Sequence, residues 1–242
     1  MPAAILAPME LLRGNRDVVR VGHRGAAALA PENSLAAIEA AAAHGVDAVE
    51  LDVLARPDGT LVLAHGPDLP ADSATLDDGL ALAARLGLAV QLDVKLPGLE
   101  AGMVEALARH DLLGRCFVSS VSLRTLAAFA AHAPELPRAY TYPDDRHGVS
   151  SRALLQPALR PGLAVLRALL PRRLPGRLRS AGASAATLNW AVVTPAAVAA
   201  CHELGAAVYV WTVNEPERVR ALLASGIDGI ISDDPRILLP ES

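Results

Sequence analysis

Along this 242-residue chain, apolar runs of four to six residues alternate with longer Ala/Leu-rich stretches whose hydrophobic positions recur at helical spacing. The alternation extends from Val18 to Leu239 and predicts repeated βα units around a mainly parallel sheet. The strand-like runs are residues 18–22, 48–53, 89–94, 116–119, 138–142, 186–189, 207–211 and 229–232. Eight such runs predict a sheet closed into an α/β barrel. The intervening helices carry start signals: Ser34 or Asn33 before LAAIEAAAAHG, Ser122 before LRTLAAFAAH, Thr194 before PAAVAACHELG and Asn214 before EPERVRALLASG. Gly45, Gly205 and Gly226 mark helix ends.

Two insertions interrupt this rhythm. The first, residues 54–75 after the second strand, is expected to hold a short extra strand at 60–64 that delivers His65 to the barrel mouth. The second, residues 143–183 after the fifth strand, is rich in Pro and Arg, and no acidic residue lies between Asp145 and Glu203. Its Leu and Arg pattern predicts one or two short amphipathic helices with a basic face. Two readings stay open: a solvated cover over the rim, or a lid whose arginines select an anionic or lipid-like substrate, with peripheral lipid contact through 143–183.

Composition narrows the class. With 52% hydrophobic residues the chain can bury one large core, so a single domain over 1–242 is expected. A net charge of -4 gives no reason to expect nucleic acid, so a phosphate ligand would need a local site. Cys116 and Cys201 lack zinc-ligand spacing and are expected to be buried and reduced. The first residues do not read as a signal peptide, and no stretch reaches the roughly 18 apolar residues of a membrane span. A soluble, cytoplasmic protein is expected; the oligomeric state is not legible.

The chemistry-bearing residues gather at strand ends. Side chains alternate along a strand, so Glu50 and Asp52 in VELDV share one face, while Val49, Leu51 and Val53 share the other. In QLDVK, Gln91, Asp93 and Lys95 likewise share a face. Burying like charges together is costly without compensation, and a hard divalent cation supplies it. Glu50, Asp52 and Asp93 are therefore the candidate metal ligands, for Mg2+ or Ca2+. Lys95, the sole lysine, would face an anion held by that metal, and phosphate is the obvious one. His23 and Arg24 end the first strand, followed by Gly25: Arg24 can grip a phosphoryl oxygen, and His23 with His65 can form a general acid/base pair.

In their order and spacing, HRGAAALAPENS, VELDV, DGTLVLAH, LDVK, WTVN and DGIISDDP resemble the glycerophosphodiester phosphodiesterase family over nearly the whole chain. The resemblance implies a TIM (β/α)8 barrel. It also implies metal-dependent hydrolysis of glycerophosphodiesters to sn-glycerol 3-phosphate and an alcohol, a part of lipid and glycerol metabolism. Carried over by position, Glu50, Asp52 and Asp93 match metal ligands, His23 and His65 the acid/base pair, and Arg24 and Lys95 phosphate contacts. Trp211 matches an aromatic wall at the mouth, and Glu32 a brace of the first loop. Departures from the family pattern are Ser34 for threonine, Asp93 for glutamate, and Gly66 for the aspartate that would orient His65. Two alternatives stay open: lysophospholipase D-like or glycerol-phosphate phosphatase activity at the same site, and a catalytically impaired barrel that only binds phosphate.

Overall fold

A computed structural model describes residues 10–14, 16–66, 69–144 and 156–238. Among the described residues nine strands are formed: β1 (Val19–Gly22), β2 (Ala48–Ala55), β3 (Leu61–Leu63), β4 (Ala89–Val94), β5 (Cys116–Ser120), β6 (Arg138–Tyr142), β7 (Ala185–Asn189), β8 (Ala207–Trp211) and β9 (Gly229–Ser232). All except β3 run parallel, and β1 pairs with both β2 and β9, which closes the ring. Each expected run is one of these eight barrel strands. The expected extra strand is β3, antiparallel to β2 with Val53 opposite Leu63. That pairing extends β2 to Ala55, because its last residues gain a second hydrogen-bonded neighbour there.

The helices are α1 (Leu35–Ala43), α2 (Leu76–Leu86), α3 (Glu100–Arg109), α4 (Leu123–His132), α5 (Gln156–Ala181), α6 (Pro195–His202) and α7 (Pro216–Leu223). Ser34, Ser122 and Thr194 each accept a backbone N–H three residues on, as expected, and Thr75 does the same for α2. Asn214 does not cap α7. The cap position falls to Glu215, which makes no side-chain cap bond, while the Asn214 amide turns to Asp233. The Asn214 Oδ1, the atom a cap would use, already accepts from the Asp233 N–H and the Ser232 hydroxyl, and Pro216 in the first turn has no N–H to satisfy.

The second insertion also departs from expectation. In place of one or two short helices, its described residues form α5, one helix of 26 residues, held between α4 and α6. Leu170, Leu174, Leu178 and Ala181 form its buried stripe. Pro171 and Pro175 each remove a helical hydrogen bond, so packing along this stripe holds the helix. Residues 145–155 of this insertion, and 67–68 of the first, lie outside the described residues.

The barrel interior has an apolar floor and a polar top. Val49, Leu51 and Val53 point outward and pack with Ile38 and Leu80 of the helical layer. Inward, Val21, Ala48, Ala89, Ala139, Ala185 and Ala207 leave room for two rings, Phe117 and Tyr209, whose centroids are 5.1 Å apart. Gly229 is required beside them: a Cβ there would lie 2.2 Å from the Tyr209 ring. Gly229→Ala is therefore expected to destabilise the protein by about 1–3 kcal/mol in urea unfolding, through overpacking. An unchanged midpoint would mean that the ring is free to move.

Candidate active site

The site begins where β1 ends. The chain reverses so tightly that a Cβ on Gly22 would sit 2.0 Å from the Gly25 carbonyl oxygen. Within this turn Arg24 takes φ +50°, a left-handed conformation costing about 1–3 kcal/mol for such a residue. Three bonds impose it. The Arg24 N–H donates to Glu50 Oε2 at 3.0 Å, its carbonyl accepts from Asn33 N–H at 3.0 Å, and the Gly25 N–H reaches the Glu50 carbonyl at 3.2 Å. The metal-ligand candidate on β2 thus also fixes the loop that carries His23 and Arg24.

Glu50 and Asp52 face inward on β2, 4% and 1% exposed, and Asp52 lies in register with Asp93 on β4. The three carboxylates each present an oxygen within 4.8 Å of the others. Asp52 is the most heavily engaged. Its Oδ1 is 2.7 Å from Lys95 Nζ; its Oδ2 is 2.9 Å from His65 Nδ1 and 3.1 Å from Asn33 Nδ2. The Arg24 guanidinium pairs with the same Oδ2 at 3.1 Å, without the alignment of a hydrogen bond. The Asp52 N–H returns a bond to Asn33 Oδ1 at 3.0 Å, so one asparagine holds both the backbone and the side chain of Asp52. Asp93 accepts from Lys95 and, at 2.7 Å, from Ser119 Oγ, which in turn accepts from Gln91.

The two imidazoles are held alike by different carboxylates. His65 is bound through Nδ1 to Asp52, and His23 through Nδ1 to Asp233 Oδ1 at 2.6 Å, with its Nε2 3.8 Å from Glu50 Oε2. Asn214 clamps Asp233, donating to Oδ2 at 2.6 Å and accepting the Asp233 N–H at 3.0 Å. His65 therefore has an orienting aspartate although Gly66 is its neighbour in the chain. Arg24 is braced from outside by Glu32, 2.5 Å away. Trp211 ends β8; its indole N–H is buried with no hydrogen-bond partner, and it makes no link to the acidic cluster.

Charge is unevenly distributed over this group. Burial, reinforced by Asp52 alongside, pushes the Glu50 carboxyl up to about 7. Burial acts on Asp52 too, but the His65 hydrogen bond and the Lys95 and Arg24 charges overcome it and hold that carboxyl well below its usual range. Burial would lower His23, yet Asp233 and Glu50 raise it, and His23 in return lowers Asp233. Lys95 is raised by Asp93, Asp52 and Glu50 against its own desolvation. Three clustered oxygen donors, one still holding a proton near neutrality, have the donor chemistry that suits a hard divalent cation.

Sequence pattern alone does not single out Asp233, Asn214 or Ser119. Asp233 stands inside DGIISDDP at the end of a strand, the same signal that points to His23. Ser119 is accessible from the inward alternation of β5.

A closed parallel barrel with acids and imidazoles at its carboxyl end has the arrangement of TIM-barrel enzymes. The family model described as "Glycerophosphoryl diester phosphodiesterase family" matches residues 23–79 and 97–237. A glycerophosphodiester phosphodiesterase of Caldanaerobacter subterraneus is 25% identical over 258 residues, covering 90% of this chain and 95% of that protein. Among solved structures, an Oleispira antarctica phosphodiesterase in complex with the product sn-glycerol-3-phosphate superposes with TM-score 0.71 at 22% identity, over 90% of this chain and 93% of that one. The Agrobacterium tumefaciens glycerophosphodiester phosphodiesterase has TM-score 0.71 at 21% identity, over 91% and 98%. The chain belongs to the glycerophosphoryl diester phosphodiesterase family, and it is an enzyme of that metal-dependent class.

A cation that takes Glu50 as a ligand must displace the proton Glu50 keeps up to about 7. Divalent-ion affinity is therefore expected to rise about tenfold per pH unit up to that point and then level off, as read by calorimetric titration at constant ionic strength. An affinity independent of pH below neutrality would contradict the raised carboxyl.

Proposed function

We propose that Glu50, Asp52 and Asp93 hold a divalent cation, Mg2+ or Ca2+, and that His23 and His65 move the protons while a glycerophosphodiester is hydrolysed to sn-glycerol 3-phosphate and an alcohol. The observation that carries this reading is two imidazoles, each bound through Nδ1 to its own aspartate, bordering one acidic cluster. When bound, the ion supplies Lewis-acid polarisation of a phosphoryl oxygen.

With Nδ1 of each ring engaged by a carboxylate, Nε2 is the nitrogen left to exchange a proton with substrate. One ring accepts the proton of the attacking oxygen, and the other donates to the departing alkoxide. If the attacker is the glycerol 2-hydroxyl, a cyclic phosphate forms and the roles reverse in the second step. Arg24 and Lys95, both already drawn to Asp52, offset charge on the phosphoryl oxygens at the edge of the cluster. Trp211, at the end of β8, would wall the mouth with the face of its ring. Asp233 is a positioning residue: it fixes the tautomer and orientation of His23.

The substrate is a small molecule, and nucleic acid is not expected as a partner at a net charge of -4. No described helix is long and apolar enough to cross a membrane. Two buried free cysteines, Cys116 and Cys201, support a reducing compartment such as the cytoplasm.

Hydrolysis of glycerophosphocholine is the direct test. Chelation is expected to abolish it and added Mg2+ or Ca2+ to restore it; full turnover in a metal-free preparation would refute the reading. Faster turnover of a lysophospholipid than of the deacylated diester would move the substrate to the lysophospholipase D-like alternative. His23→Ala and His65→Ala are each expected to lower kcat by about 10²–10⁴-fold. Asp233→Ala is expected to lower kcat by about 10²-fold with KM little changed, and a wild-type kcat would remove Asp233 from the account.

A further inference from the structure

The helix α5 is out of proportion to the barrel. Its 26 residues span about 39 Å at 1.5 Å per residue, whereas the other six helices have 8–11 residues. Its buried stripe, Leu170 to Ala181, lies in its second half, which leads into β7. Helices of such barrels run back against their strands, so the first half of α5 lies on the side of the carboxyl-end mouth where the catalytic candidates lie.

The outward face is cationic. Arg167, Arg172, Arg173, Arg177 and Arg179 are all exposed, and none forms an ion pair with a described acidic residue. Of the five, Arg177 alone has a described partner, the Tyr140 hydroxyl at 3.3 Å, with its guanidinium 5.8 Å from that ring. The missing acids are missing from the chain as well, since residues 146–202 contain no Asp or Glu. Elsewhere the surface is laced with pairs such as Arg109–Asp77, Arg218–Glu215 and Arg236–Asp234. Like charges four apart on a helix, as at Arg173 and Arg177, repel each other, so this face is built for an anion from outside. Beside it, Tyr140, Tyr142, Leu166 and Leu170 line a cleft of about 50 Å³ with Arg173 and Arg177 on its lip. Toward the mouth the exposed positions turn apolar, with Ala164, Ala168 and Val165, the last 57% exposed.

We propose that α5 docks the enzyme on an anionic lipid surface. Arg172, Arg173, Arg177 and Arg179 take lipid phosphates, which guanidinium groups grip bidentately, and the apolar start of the exposed face enters the headgroup boundary. Lipid fits better than nucleic acid. Exposed aliphatic side chains share the face with the arginines, and the chain as a whole is negative, which a long polyanion would meet and a flat bilayer contacting one helix would not. The docking face is separate from the carboxylate cluster, so membrane binding and hydrolysis can fail independently.

The test is co-sedimentation of the full-length protein with vesicles of phosphatidylcholine alone or mixed with phosphatidylglycerol, at low and high salt, beside duplex DNA. Expected are binding to the mixed vesicles only, and loss of that binding at high salt. The triple variant Arg172→Gln, Arg173→Gln, Arg179→Gln is expected to bind them about a hundredfold more weakly while hydrolysing glycerophosphocholine at the wild-type rate. If the variant does not fold, the lipid and salt comparisons on the wild type still decide. No binding to the mixed vesicles, equal binding to phosphatidylcholine alone, tighter binding to duplex DNA, or a folded variant with undiminished affinity would each overturn the proposal.

Discussion

Asp52 is the side chain on which the rest of the site depends. It is almost wholly buried, and it stays ionised because Lys95, His65, Arg24 and Asn33 converge on its two oxygens. Each of those partners comes from a different part of the chain: the β1 turn, the loop before α1, the end of β3 and the end of β4. Without the charge on Asp52, two cations, one imidazole and the first loop would lose their common anchor. Its neighbour Glu50 is the opposite case. Equally buried but poorer in cationic partners, it keeps its proton to about 7, and it commits part of its hydrogen-bonding capacity to the Arg24 turn. Two carboxylates one pleat apart on a single strand thus differ in charge because their surroundings differ.

The barrel makes this arrangement possible by separating layers. The floor is closed by Phe117 and Tyr209 among alanines, and the parallel register of β2 against β4 sets Asp52 beside Asp93. Strands that read as Val/Leu on one face and acid on the other place the apolar face against helices and the acids over the floor. The residues proposed to act on substrate then sit just beyond the strands: His23 and Arg24 after β1, His65 after β3 and Lys95 after β4, with Asp233 after β9 holding His23.

Much of this is legible from residue pattern. The eight barrel strands and the β3 insertion come from apolar runs bounded by turn residues, and the acidic cluster comes from period-two alternation in VELDV and QLDVK. The features that escape such a reading depend on tertiary contact. Asn214 has the chemistry of a helix cap and the neighbours of a clamp; only the approach of β9 decides between them. The orientation of His65 is open in the sequence with Gly66 beside it, because a bond from Asp52, thirteen residues back, cannot be inferred from local pattern. The unity of α5 is hidden by its prolines, which argue locally for a break, whereas the stripe of Leu170, Leu174 and Leu178 carries the helix through them.

The most direct measurement is a crystal structure of the protein soaked with Mn2+ and sn-glycerol 3-phosphate, with the ion located by anomalous scattering. A single anomalous peak bonded to Glu50, Asp52 and Asp93 at about 2.0–2.3 Å, with the phosphate between it and the two imidazoles, is the predicted result. An ion-free carboxylate cluster, or a phosphate held away from His23 and His65, would contradict it.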